Sequence, residues 1–209
     1  MKVKYWYLKM IFDKKIKYKI VKDKFEEIIK PLIINKDVLD FGSSGQLLDN
    51  NPPKNKKHLY SEMKKVVKSI VGVDLRQPKS SLNGELIYGN AETIELKRQF
   101  DVIVCCDLLE HIMNQGLLLQ NCKRHLKDNG LLILSTPNAK SYRILFKTYK
   151  AHTLWHDKDT LSYLLRKNDF KISRLYYYYG NKNYPWYINL IFEVLGKFNQ
   201  GICIVCEKK

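Results

Sequence analysis

No stretch of roughly 18 apolar residues, the length a bilayer-spanning helix demands, occurs anywhere in the 209-residue sequence. The N-terminal MKVKYWYLKMIF is basic and aromatic but lacks a clean apolar segment and a small-residue cleavage site. A protein neither exported nor membrane-spanning is therefore expected. Cysteine is sparse and odd in number: Cys105, Cys106, Cys122, Cys203 and Cys206 lie inside apolar segments, without the even spacing of a secreted disulfide framework. That predicts a reducing, cytoplasmic setting. Cys203 and Cys206 form a CxxC, yet no second Cys or His pair completes a zinc site. On a strand, residues three apart point to opposite faces, so both are expected as small core residues. Acidic residues are also short, 21 Asp and Glu against 37 Lys and Arg, a formal charge of +16. The excess favours nucleic acid, phospholipid or a phosphorylated substrate. Lysines scattered along a chain also reflect genome composition, so the charge alone does not choose.

Hydrophobic residues make up 45% and charged residues 28%, ordinary for a soluble fold and far from disorder. The length suits one well-buried α/β domain. Residues 1–35 read as a basic N-terminal arm and a lead-in helix. The first 21 alternate Lys with Tyr, Trp, Ile and Phe, a pattern open between edge strand, interfacial helix and loose arm. In KDKFEEIIK, Phe25, Ile28 and Ile29 share a helical face and Pro31 closes it. From residue 36 onward one theme repeats, an apolar run rich in Val, Ile or Leu, turn residues, then an amphipathic segment. This is the βα alternation of a parallel sheet covered on both faces. Strands are expected at Asp37 to Phe41, Ser69 to Leu75, Glu85 to Tyr88, Phe100 to Cys106 and Gly130 to Thr136. Helices are expected at His58 to Lys68, Ala91 to Leu96 and Gln115 to Lys127, with Gly130 as the stop. Two more helices follow at Ser141 to Tyr149 and Lys158 to Lys167, then strands at Lys171 to Tyr179 and Gly201 to Cys206. The aromatic stretch 181–199 between those strands is a candidate lid, with a plain packing helix as the competing reading.

In an open parallel sheet, ligands bind beyond the carboxyl ends of the strands, where strand order reverses. After the first of these strands stands Asp40-Phe41-Gly42-Ser43-Ser44-Gly45, a carboxylate followed by a small-residue turn that lets a ligand approach the backbone. After the second comes Val73-Asp74-Leu75, where a carboxylate can accept hydrogen bonds from ribose hydroxyls. Four further segments make a family resemblance specific: Tyr88-Gly89-Asn90-Ala91-Glu92, Phe100 through Asp107-Leu108-Leu109-Glu110-His111-Ile112, Leu126 through Thr136-Pro137-Asn138, and His152 through Trp155 with Leu161, Leu164, Leu165 and Phe170. Together they resemble the class I S-adenosylmethionine (SAM)-dependent methyltransferases, in the branch with Glu-His after the fourth strand that includes quinone-biosynthesis enzymes.

The resemblance runs from about Asp37 to Leu175. It implies a Rossmann-like, doubly wound α/β fold, a mostly parallel seven-stranded sheet with an antiparallel last strand, and a methyltransferase domain over 36–209. It also implies SAM as cofactor. Asp40, Gly42, Ser43, Ser44 and Gly45 would hold its methionine end, Asp74 and Leu75 its ribose, Asn90 and Ala91 its adenine, and Asp107 and Leu108 would line the pocket. One motif departs from the family's D-x-G-x-G-x-G, since Ser44 stands near the second glycine position and Gly45 falls one residue early.

Cys106-Asp107-Leu108-Leu109 stands where base-amino methyltransferases carry N/D-P-P-Y/F, and Cys105 and Cys106 lie within a strand, not after one as a nucleophile would. DNA is therefore not an expected partner. Methyl transfer from sulfonium to oxygen is an in-line displacement resting on alignment and water exclusion, plus proton removal from a hydroxyl acceptor. His111 is the first candidate base and His152 the second; packing and pocket-shaping are the competing roles for both. Glu110, His111, His152 and His156 fix no coordination geometry by spacing, so no metal is expected. The expected acceptor is a small molecule, glycan or lipid-linked compound, methylated at oxygen in the cytoplasm, with the basic N-terminus resting on an anionic membrane surface in the lipid-linked case. The alternatives are an RNA methyltransferase, favoured by the charge, and a non-catalytic protein keeping the fold, favoured by the irregular first loop.

Overall fold

The apolar runs become the strands of one eight-stranded sheet in a computed structural model that describes residues 17–43, 58–76, 86–141, 152–179 and 198–209. The strands are β1 (Tyr18–Val21), β2 (Asp37–Phe41), β3 (Ser69–Asp74), β4 (Leu86–Tyr88), β5 (Phe100–Cys106), β6 (Leu126–Pro137), β7 (Phe170–Tyr178) and β8 (Gly201–Lys208). Across the sheet they run β1, β7, β8, β6, β5, β2, β3, β4. β8 lies antiparallel between β6 and β7, and every other pairing is parallel. Strand order reverses between β2 and β5, and in open α/β sheets the carboxyl ends at such a reversal are where ligands bind. This is the expected doubly wound architecture with one strand more. β1 adds an eighth, parallel to β7, and resolves part of the N-terminal pattern as an edge strand.

Both faces are covered, so the central strands are apolar without alternation. On one face Ile28, Ile29 and Ile33 of the lead-in, with Tyr60 and Met63 of α2 (Leu59–Lys64), pack on Val38, Ile70, Val102, Val104 and Ile133. On the other, Leu118, Leu119 and Cys122 of α3 (Gln115–His125) and Leu161 and Leu165 of α4 (Lys158–Lys167) pack on Leu39, Phe41, Ile103, Cys105, Leu132 and Leu134. Cys203 and Cys206 are buried on opposite faces, as their spacing requires. Among the described residues, no helix is long and apolar enough to cross a membrane.

Three local expectations are corrected. The lead-in is a π-helical turn, Phe25–Ile29, running into α1 (Lys30–Ile33), with Pro31 in the first turn of α1 and not closing it; proline is tolerated there because that N–H has no intrahelical partner. Residues 91–96 are not a helix. Asn121 donates to the carbonyls of Ala91 and Ile94 at 2.8 and 3.0 Å, and the Leu96 N–H donates to His125 Nε2 at 2.9 Å, so side chains of α3 hold backbone groups a helix would have used itself. α3 ends at His125, and the left-handed residue beyond it is Asn129 (φ 62), not Gly130. The expected helix at Ser141 to Tyr149, beyond Ser141, and all but the last residues of the candidate lid lie outside the described residues.

α4 opens on a capping box. The Asp157 carboxylate accepts from the backbone N–H groups of Asp159 and Thr160 at 3.0 and 2.8 Å, and Lys140 Nζ lies 2.6 Å away. Burial would raise this carboxyl, but Lys140 and Thr160 outweigh it and pull it from the ordinary 3.8 down to about 2. A depressed carboxyl stabilises the fold above its ordinary value and loses that effect as pH falls through the lower one. Asp157→Ala is therefore expected to cost about 1 kcal/mol at neutral pH, some 2–4 °C in Tm. In thermal melts the gap to wild type should narrow once the pH drops below 3.8.

Candidate active site

The crevice is built from strand ends. Asp40, near the end of β2, is buried; burial and then the Asp74 carboxylate push its carboxyl well above the ordinary range, with Lys24 partly opposing. The next residues turn back on β3. Gly42 takes a left-handed φ of 79°, which favours glycine, and its N–H donates to the Val73 carbonyl at 2.8 Å. Ser43 is buried, and its hydroxyl has no hydrogen-bond partner among the described residues. Gly72 makes room for it, since a Cβ there would come within 2.5 Å of the Ser43 Oγ. Ser44 and Gly45 lie outside the described residues.

Asp74 ends β3 with its side chain 15% exposed and Arg76 beside it, the backbone N–H at 2.9 Å and Nε at 3.6 Å from Oδ1. Leu75 is 61% exposed next to it. Asn90 folds its side chain onto the Glu92 N–H at 2.9 Å, and Ala91 is buried where Asn121 holds its carbonyl.

Past β5, Asp107 has a left-handed φ of 52°, tolerated by Asp because its short polar side chain bonds locally. Its carboxylate gathers three donors: Lys24 Nζ at 2.7 Å, the Tyr178 hydroxyl at 2.9 Å and the Ser135 hydroxyl at 3.1 Å. Lys24 also donates to Ser135 Oγ at 2.9 Å and lies 4.9 Å from the centre of the Tyr178 ring. Burial would raise the Asp107 carboxyl, but Lys24, Tyr178 and Ser135 hold it below the ordinary range; burial would lower the Lys24 ammonium, but Asp107 keeps it well above. Gly201 permits this arrangement, because a Cβ there would stand 2.2 Å from the Tyr178 ring.

Leu108 leads into a 3-10 turn, Leu109–His111. Glu110 is buried, its Oε2 accepting the Thr136 hydroxyl at 3.0 Å. Burial and then Asp107 push its carboxyl up to about 7. Its backbone carbonyl takes both the N–H and the hydroxyl of Thr153 at 3.0 Å, which ties the 152–157 segment to the turn. The turn is held from a second side by Gln115, which donates to the Leu109 carbonyl at 2.9 Å while its amide oxygen meets His156 Nε2 at 3.0 Å. His111, exposed, and His152, half-buried, meet edge to face at 5.0 Å, with Trp155 4.8 Å from His152. Burial and then His111 hold the His152 imidazole below its ordinary range.

The expected residues on strand ends thus converge on one end of the sheet, and His111 and His152 meet across some 40 residues of chain, well beyond the reach of local sequence pattern. Lys24, Ser135 and Tyr178 were not anticipated. Lys24 belongs to the KDKFEEIIK helical pattern, which carries no sign of its partner, and Tyr178 belongs to the run Tyr176 to Tyr179, all four of which are buried. The unanticipated signal was a lysine one residue ahead of an apolar helical face, which can reach inward.

A family profile described as a methyltransferase domain matches residues 12–175. Among curated proteins, the ubiquinone biosynthesis O-methyltransferase of Glaesserella parasuis is 28% identical over 131 residues, 54% of this chain and 51% of that one. The mitochondrial ubiquinone biosynthesis O-methyltransferase of Schizosaccharomyces pombe is 30% identical over 126 residues, covering 57% and 44%. The chain thus spans about half or less of the length of these relatives. Among solved structures, a SAM-dependent methyltransferase from Archaeoglobus fulgidus aligns with a TM-score of 0.60 at 17% identity, over 85% of this chain and 89% of that one. The Burkholderia thailandensis 1,6-didemethyltoxoflavin-N1-methyltransferase, solved with its acceptor and S-adenosylhomocysteine, aligns at 0.57 and 15% identity, over 84% and 72%. At such identities these two show the shared fold.

Proposed function

The chain belongs to the methyltransferase-domain family, and from that premise we propose that it transfers the methyl group of SAM to a hydroxyl of a small-molecule, glycan or lipid-linked acceptor. The observation that carries the proposal is that a carboxylate, Asp74, a tight glycine turn at Gly42 and the His111–His152 imidazole pair follow the carboxyl ends of the parallel strands β3, β2 and β5. SAM supplies an electrophilic methyl on a cationic sulfur. The residues present suit it: Asp74, at the carboxyl end of β3, accepts the ribose hydroxyls, and the Ser43 hydroxyl is buried without a partner among the described residues. Gly42 keeps the turn close to Leu108, where a Cβ would come within 3.2 Å. Asp40, Gly42 and Ser43 hold the methionine end, and Ser44 and Gly45, next in the sequence, are assigned to it by the family resemblance. Leu75 lies beside the ribose, Asn90 and Ala91 take the adenine, and Asp107 and Leu108 line the pocket between them.

His111 follows β5 in the 3-10 turn and meets His152, and in this reading the acceptor hydroxyl is presented to that pair. One of them takes the hydroxyl proton as oxygen attacks, His111 first because it is exposed. The ties of Thr153 to Glu110 and of His156 to Gln115 keep that pair in place. Proximity and exclusion of water then supply most of the rate.

Calorimetry and thermal shift with SAM and S-adenosylhomocysteine test the cofactor, and no response to either would sink the proposal in favour of a non-catalytic fold. A tritiated-methyl screen over small-molecule, lipid, glycan and RNA fractions then tests the acceptor. Label should enter the small-molecule, lipid or glycan fractions; label in RNA alone, with binding that weakens steeply in salt, would replace the acceptor assignment.

A further inference from the structure

An open cleft of about 400 Å³ lies between the last turns of α3 and α4 and the end of β8, at the opposite end of the sheet from the candidate active site. Its place follows from the strand register. Lys208 pairs with Phe170 at the start of β7, and its Nζ donates to the carbonyl of Leu126 at the start of β6, at 3.2 Å. The length of β5, about 20 Å at 3.3 Å per residue, separates these amino ends from the rim that carries Asp107. Four cations line the cleft, Lys123, Arg124, Lys167 and Lys208, against one carboxylate, Asp169. We propose that this cleft is a second binding site, which takes the phosphate or diphosphate group of a small soluble molecule.

Ordinary helix chemistry accounts for only part of the charge. A helix C-terminus carries roughly half a negative charge and favours a nearby cation, which explains one basic residue at the end of each of α3 and α4. The lining exceeds that number, and Lys208 comes from a strand. The cations are also the fixed members of their ion pairs. Lys123 and Lys208 have side chains 30% and 22% exposed, whereas their partners Asp169, at 3.1 Å, and Asp128, at 3.6 Å, are 71% and 97% exposed. Arg124 meets an equally exposed Glu95 at 3.5 Å, and Lys167 lies over the Tyr163 ring, 5.6 Å from its centre.

Carboxylates this exposed contribute little by pairing, so an incoming anion displaces them at small cost. A phosphate group presents several charged oxygens on one centre and can engage two or three of the cations at once through charge-assisted hydrogen bonds. The volume falls within the range of small-molecule sites, about 300–1,000 Å³. A long phosphodiester backbone fits less well, because Asp169, Asp128 and Glu95 interrupt the positive surface it would follow. The site shares no residue with Asp74 or the His111–His152 pair, and it stands whether or not the chain transfers methyl groups.

The test is isothermal titration calorimetry of the full-length protein with inorganic pyrophosphate, in about 0.15 M chloride, where distant exposed charges are screened. One equivalent should bind saturably, and inorganic phosphate should compete for it. Lys123→Ala and Lys208→Ala, checked for folding by circular dichroism, should each weaken binding about 10-fold or more, the loss expected for a hydrogen bond to a charged group. Lys65→Ala, at the end of α2 on the other face of the sheet, should leave it unchanged. Asp169→Asn, which removes the competing carboxylate and suits the left-handed backbone there (φ 59), should tighten it. Absence of heat at this salt, or equal losses in Lys65→Ala and the cleft variants, overturns the proposal, since scattered lysines would then account for any binding. Phosphatidic-acid vesicles or an RNA oligonucleotide that bind through Lys123 and Lys208 where pyrophosphate does not would overturn it too, by assigning the cleft to a surface or a polymer. The response to S-adenosylhomocysteine is read separately, so the failure of either proposal leaves the other standing.

Discussion

Asp107→Asn is expected to lower folding stability by about 2 kcal/mol, or roughly 4–8 °C in Tm for a chain of this size. Asparagine keeps the shape, the left-handed backbone and the contacts with Tyr178 and Ser135, so the change removes one charge and little else. What it strands is the Lys24 ammonium, whose side chain is only 16% exposed. Breaking a fully buried pair costs about 3–5 kcal/mol; the Asp107 side chain is 49% exposed, so water screens part of the loss and the smaller figure follows. Lys24→Met should cost less, since it leaves a carboxylate that solvent can reach. In urea denaturation, the double variant should be more stable than the two single losses predict when added. Simple additivity would mean that the 2.7 Å contact contributes nothing by pairing.

Asp74→Ala is expected to weaken binding of S-adenosylhomocysteine by about 10–100-fold, corresponding to the roughly 1.5–3 kcal/mol that hydrogen bonds to a charged group contribute. Arg76 lies against the same carboxylate, and it must share Asp74 with the ribose or swing aside. Arg76→Ala should therefore leave affinity unchanged or raise it, whereas Asp74→Ala lowers it. Calorimetry on both variants measures the difference, and equal losses would assign Asp74 to holding Arg76 and not the ribose.

The parallel core was legible because its strands are buried on both faces and so appear as unbroken apolar runs; Val102 to Cys105 could be little else. The strand ends were legible for the same reason, since a carboxylate or glycine directly after such a run must stand at the rim of the sheet. Periodicity failed where side chains replaced backbone as hydrogen-bond partners. The 91–96 segment looks helical, but Asn121 and His125 settle its conformation from another element. Neither could be paired with it from spacing alone. Lys24 was illegible for a related reason: a charge on a helical face implies solvent unless its counter-charge is known, and Asp107 is 83 residues away. The Glu110, His111 and His152 cluster was half legible. Each residue stands out in the sequence, but the meeting of His111 with His152 depends on the Thr153 tether to Glu110, which no periodicity encodes.

The edge strand β1 bears on the order of folding. Tyr18 pairs with Leu175 and Val21 with Tyr178, so the first strand of the sheet waits for partners that come more than about 150 residues later, and such long-range parallel pairing is slow to form. Ahead of that moment β7 must itself be aligned by β8, the last strand of the chain. The rim that carries Lys24 is therefore expected to close late, so the Asp107 carboxylate would gain its ammonium partner only after most of the core has formed.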